Sequence, residues 1–199
     1  MIRFLFPLLL MLAAAPAHAW WNGDWSARKA ITVNTADSGA AVKEAQTNAP
    51  VLIRLHTGNF DFLSANPNGS DLRFVAGDDK TPLNFQIEKF DSTAEQALIW
   101  VQVPKVEGGK DKQQVWLYYG NEGAPAVGDG KAVYDPSFML VQHYAETSGA
   151  PQDSTAAAIP SGAFTATRTP GGAIGGAVKF DGTQTLDIPA APKLVYGAA

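Results

Sequence analysis

The sequence contains no cysteine. That excludes disulfides, thiolate metal sites and cysteine nucleophiles together, and it leaves apolar burial as the source of stability. A chain of 199 residues can bury enough surface for that. Charge is sparse and slightly acidic, with a formal net charge of -4. Without a basic patch, the chain is expected to bind neither nucleic acid nor an anionic membrane surface. Histidine is scarce too. Past residue 19 only His56 and His143 remain, far apart in sequence, and a metal site would need carboxylate partners that spacing alone does not assign. His143 reads as a satisfied core or rim histidine.

The motifs of common chemistries are also missing. There is no G-x-S-x-G elbow, no H-E-x-x-H helix and no Walker loop. Glycoside hydrolysis needs two carboxylates facing each other across the bond, and alternate positions of one strand would place them on one face. No E-x-D-x-E pattern occurs. Glu88 and Asp91 have the wrong spacing, and Asp78-Asp79 belongs to a turn. The chain is therefore expected not to be an enzyme.

The one long apolar run lies at the start. Arg3, the apolar residues 4–15 and Ala17-His18-Ala19 have the three-part layout of an export signal. The run is shorter than the roughly 20 residues a bilayer needs, and Pro16 interrupts it. Cleavage is expected after Ala19, giving an exported protein, periplasmic or otherwise extracytoplasmic, that starts at Trp20.

Residues 66–104 organise the rest of the chain. Asn66-Pro67-Asn68-Gly69 and Gly77-Asp78-Asp79 are turn signals. Between and after them, Leu72 and Phe74 share one face, and Leu83, Phe85 and Ile87 alternate with Asn84, Gln86 and Glu88, the period of a half-buried strand. Residues 98–103 are apolar at nearly every position, so both faces of that strand should be covered. Further strands are expected at 30–33, 51–55, 72–75, 83–89, 97–103 and 115–119. Short strands, frequent turns and no convincing helix indicate an all-β protein, a β-sandwich over 20–129.

At 122–130 the composition shifts to Gly, Ala and Pro, which reads as a linker or boundary. Strands are then expected at 138–143, 177–180 and 186–188, with a long small-residue region before 176. The GxxxG spacing within 171–176 reads as a turn entering a strand. Residues 130–199 are too few to close a second sandwich, so the chain is expected to stop partway through a second domain.

Candidate ligand-binding residues are aromatic and polar groups of the expected sandwich. Trp20, Trp21 and Trp25 crowd the start of the sandwich, either as packing anchors or as a platform for a sugar ring. Trp100 and Tyr118 are further stacking candidates, and Asn121 supplies a polar tip beside Tyr118. Asp71 and Arg73 share a strand face, where they either pair structurally or hold a polar ligand. Asn68-Gly69-Ser70 matches a glycosylation acceptor, but its turn role explains it fully.

Several segments are also familiar as a set. Trp21-x3-Trp25-x2-Arg28, NGSDLRFV at 68–75, TPL at 81–83, IWVQVP at 99–104 and WLYYGN at 116–121 occur in that order. Together they resemble the bacterial domain of unknown function DUF2341 over roughly 20–129. YDPSFMLVQHYAE, Asp153-Ser154-Thr155 and GGAVKFDGTQTLDIPA resemble the opening strands of a laminin G-like, concanavalin A-like jelly roll, here incomplete. The resemblance implies an exported binding or accessory module, since such domains are in some proteins fused to a laminin G-like domain and a MotA/TolQ/ExbB-type proton channel. It implies inner-membrane proton-channel transport components as partners, while the aromatic candidates point to a glycan or cell-envelope polymer. No channel helices are present in this chain. The resemblance brings no catalytic residues. Laminin G-like folds can bind calcium, which makes Asp153 and Asp181 candidates, with turn capping the competing account. A glycanase whose catalytic strand lies beyond residue 199 is a third reading.

Overall fold

The computed structural model describes residues 20–194. The expected export signal and its cleavage site lie outside the described residues.

Seven strands form two antiparallel sheets packed face to face. The first sheet holds β1 (Ala27–Val33), β3 (Arg73–Ala76), β4 (Pro82–Leu83) and β7 (Gln113–Tyr119), in the order β1-β7-β3-β4. The second holds β2 (Gln46–His56), β5 (Phe85–Asp91) and β6 (Gln96–Val106), in the order β2-β6-β5. This is the expected sandwich. Alternation decides what enters its core. Phe74, Val115 and Leu117 point inward from one sheet, while Leu55, Ile99 and Val101 point inward from the other, all essentially inaccessible to solvent. Each such side chain contributes about 1.5–3 kcal/mol by leaving water.

The stretch expected as one strand at 83–89 is divided. Pro82–Leu83 pairs with β3 in the first sheet, whereas Phe85–Asp91 pairs with β6 in the second. Asn84, between them, carries the chain from sheet to sheet. Its backbone oxygen still accepts from Gln102 N at 2.9 Å. Gly69, at φ 69°, closes the turn begun at Asn66, and Asn68 Oδ1 accepts from Ser70 N within it. Any Cβ at Gly69 would also run into the Phe90 ring, so the turn signal and the close packing require the same residue.

After β7 the chain folds back over the outer face of the second sheet. The Gly-, Ala- and Pro-rich stretch does not hang free: Asp129 N donates to Phe85 O, and Ala124 is buried. The short helix α1 (Gly130–Val133) is capped by Asp129, and Val133 is fully buried. The remaining regular structure is a hairpin of β8 (Thr167–Gly172) and β9 (Gly175–Lys179), plus one bridge between Phe164 and Leu186.

Two expected strands are therefore corrected. Residues 138–143 are irregular, and Leu186 contributes one bridge rather than a strand over 186–188. Instead of a strand neighbour, Val141 has the 153–154 turn: its N–H donates to Asp153 Oδ1 and its carbonyl accepts from Ser154 N. β8 went unforeseen because Thr167–Gly172 holds no large apolar side chain. Of the expected jelly-roll opening, only this hairpin and bridge are formed among the described residues.

Candidate functional site

The residues singled out in the sequence do gather, but mostly as an internal brace. Tyr118 lies on the outer face of the first sheet and is 0% exposed, because the N-terminal segment folds over it. Trp21 sits 5.7 Å from the Tyr118 ring and 5.3 Å from Trp25, between centroids. The Tyr118 hydroxyl accepts from Trp21 N at 3.0 Å and from Arg28 Nη1 at 3.1 Å, and it donates to Asp79. Arg28 also pairs with the Asp79 carboxylate and lies 4.4 Å over the Trp116 ring. A hydroxyl so fully used cannot also greet a ligand.

Asp71 and Arg73 do not pair directly. The Asp71 carboxylate, 0% exposed, accepts from Asn66 N at 2.9 Å and Gly120 N at 2.7 Å, with Asn121 N at 3.4 Å. Arg73 donates to the carbonyls of Ser70, Leu72 and Pro125 and lies 5.1 Å from the Trp25 ring. Burial pulls its guanidinium below the ordinary arginine value, with the Asp71 charge opposing. Trp25 Nε1 donates to Asp71 O at 2.6 Å, and Asn121 Oδ1 accepts from Gly123 N within its own turn. All of these contacts tie loops to the sheet. Of the two readings of the tryptophan-rich start, packing describes Trp25 and Tyr118.

Trp100 stands apart, on the outer face of the second sheet. Here the β5–β6 register slips between Ile87 and Lys89, so Glu88 is the extra residue of a β-bulge. A bulge re-aims a side chain, and Glu88 turns outward, its side chain 0% exposed. Glu88 Oε2 accepts from Trp100 Nε1 at 3.3 Å and from His143 Nδ1 of the covering segment. The other ring nitrogen, His143 Nε2, lies 3.1 Å from the Tyr134 hydroxyl. With Nδ1–H donating to the carboxylate, Nε2 takes the phenolic proton's hydrogen bond. Burial, and then the Glu88 charge, push the Tyr134 phenol well above the ordinary tyrosine range.

Neighbouring polar groups hold the cover down. Gln102 Nε2 donates to Val133 O, Asn84 Nδ2 to Ala132 O, and Gln86 Nε2 reaches Ser154 Oγ at 3.4 Å. Beside this array lies a cavity of about 500 Å³, floored by Pro50 and Trp100 and walled by Tyr134, Phe138, Tyr144 and Ile174. Its walls are chiefly apolar, with Gln142 and His143 as the polar groups. This combination of an apolar concavity with few polar groups is what a small-ligand site requires. Sequence reasoning picked Trp100 and missed Glu88, Tyr134 and Tyr144. The signal for the bulge was present: apolar positions 83, 85 and 87 are followed by Phe90, a change of parity.

The calcium candidates are otherwise occupied. Asp153 accepts from Val141 N, Thr155 N, Thr155 Oγ1 and Ile159 N. Burial alone would raise its carboxyl, yet these hydrogen bonds hold it below the ordinary value. Asp181 caps its own turn through Thr183. Among the described residues, no three His, Asp or Glu side chains converge as a metal site.

Against known families, residues 68–158 match the model described as Domain of unknown function (DUF2341). The match runs from the Asn66–Gly69 turn through β7 and α1 into the cover, so it takes in Glu88, Trp100, Tyr134 and His143 together. No curated protein and no solved structure matches the chain.

Proposed function

We propose that this chain, which carries a DUF2341 domain, is a non-catalytic extracytoplasmic binding or accessory module that takes its ligand at the cavity beside Trp100. The observation that carries this reading is the half-buried indole, fixed through its N–H by Glu88, on the floor of an apolar concavity of about 500 Å³. A rigid aromatic face beside oriented polar groups suits ligand capture.

The Glu88–His143–Tyr134 chain has the outline of a relay, but it ends on a phenol that burial keeps protonated. A nucleophile needs the opposite shift. The array serves better as a latch fixing cover to sheet.

The export-signal pattern supports an extracytoplasmic setting. The resemblance to domains fused with MotA/TolQ/ExbB-type channels supports a role as an accessory of such a transport system, meeting a cell-envelope polymer. The test is retention of the purified chain, from residue 20, on isolated cell envelopes. Trp100→Ala should abolish retention while lowering the melting temperature less than Trp25→Ala does. Turnover of a glycan or peptide by the purified chain, lost on changing one carboxylate, would contradict the non-catalytic reading.

A further inference from the structure

Next to the Trp100 cavity, a second cleft of about 420 Å³ opens between Glu88, Lys89, Tyr144, Glu146 and Arg168. We propose that it binds a neutral saccharide through adjacent hydroxyls, an inference that rests on the reading of the chain as a binding module.

Three buried polar atoms of its lining have no hydrogen-bond partner among the described residues: Glu88 Oε1, Glu146 Oε2 and Arg168 Nε. Buried polar atoms are nearly always partnered, so each such exception points to something that completes it. The rest of each group is already tied down. Glu88 Oε2 serves Trp100 and His143, and Glu146 Oε1 accepts from Gln152 N at 2.8 Å. Arg168 Nη2 donates to Gly149 O, and its guanidinium lies 4.5 Å from the Phe164 ring. None of the three is free to swing toward water.

Their chemistry selects the ligand. Two carboxylate oxygens must accept, and one guanidinium N–H must donate. Hydroxyl groups do both. An ammonium would satisfy the carboxylates but face Arg168, while a carboxylate or phosphate would satisfy Arg168 but face two glutamates. The charges of the lining cancel, two acidic against two basic, which favours an uncharged ligand. Tyr144 lines both cleft and cavity, so a sugar could set its apolar face on an aromatic ring while its hydroxyls meet the orphaned atoms.

Two backbone features keep the cleft open. Tyr144 has φ 56°, a left-handed conformation rare for an aromatic residue and concentrated at functional sites. Gly175 faces Glu88, where a Cβ would fall 2.6 Å from Oε1. Only glycine lets the backbone come this close to that oxygen without capping it with a side chain.

The test is calorimetric titration of residues 20–199 with cellohexaose, maltohexaose and chitohexaose, with spermidine and polygalacturonate as charged controls. At least one neutral hexasaccharide should bind. Glu146→Gln and Arg168→Lys should each weaken it tenfold or more, with an unchanged melting temperature for Glu146→Gln. Failure of all three sugars, indifference of binding to both substitutions, or Glu146-dependent binding of a charged control would overturn the inference. If no sugar binds while Trp100-dependent envelope retention persists, the saccharide inference alone falls. If retention also fails, the binding-module reading falls with it.

Discussion

His143 reaches from the covering segment to the carboxylate of Glu88, which a β-bulge turns out of the second sheet. The contact is nearly dry: the imidazole side chain is 12% exposed and the carboxylate 0%. It is the point where the cover, the sheet and the Trp100 cavity meet. Its consequences can be measured.

Removing His143 strands a buried carboxylate. His143→Ala is expected to cost about 3 kcal/mol, the usual result of breaking a buried pair from one side. Glu88→Gln with His143→Ala should cost less than the two changes summed, because no charge is then left unpaired. Urea unfolding of the four variants measures the coupling.

Asp71 should be the most demanding polar residue of the brace. Asp71→Ala leaves the N–H groups of Asn66 and Gly120 without their acceptor in a buried setting, and about 2–4 kcal/mol should be lost. Asp71→Asn keeps one oxygen and should lose roughly half as much. Denaturant midpoints distinguish the two.

Trp25 and Trp100 should separate stability from binding. Trp25 is 7% exposed and carries both a hydrogen bond to Asp71 O and the contact with Arg73, so Trp25→Ala should cost about 3–5 kcal/mol. Trp100→Ala should alter envelope retention far more than melting temperature. Comparable destabilisation by both would return Trp100 to the structural set.

The Asp153 carboxyl gives the cover an acid limit. Its folded value lies below the ordinary 3.8, so the unfolded chain binds this proton first as pH falls. The stabilisation is therefore complete above about pH 5 and is lost as pH drops through 3.8 toward the lower folded value. Melting temperatures at about pH 6 and about pH 3 should converge for wild type and Asp153→Asn at the acid end, with wild type higher at the upper pH.

How far the sequence foretold this differs from one part of the fold to another. The sandwich was legible because short apolar runs such as 98–103 and 115–119 lie between turn signals, and Ile99, Val101, Val115 and Leu117 within them fill the core. The division at Asn84 was hidden, since a strand that changes sheets keeps the same alternation on both sides. The irregular 138–143 shows the limit of apolar runs: four consecutive apolar residues can be half-buried without a ladder.

The site was half legible for a related reason. Trp25, Asp71, Arg73 and Tyr118 were singled out separately, and composition says neither that they converge nor which side of a covering segment an aromatic faces. Glu88, Tyr134, His143 and Glu146 come from separate stretches, and only the fold-back of the chain after β7 unites them. The parity change before Phe90 marked the bulge, though not what Glu88 would meet.

The most direct test of where this module binds is amide hydrogen exchange of the chain with and without an isolated cell-envelope polymer that retains it. The account expects added protection at 98–102, 141–146 and 168–176, around Trp100 and the adjoining cleft. Protection gathered instead at 21–28 and 116–121, over the tryptophan brace of the first sheet, would contradict it.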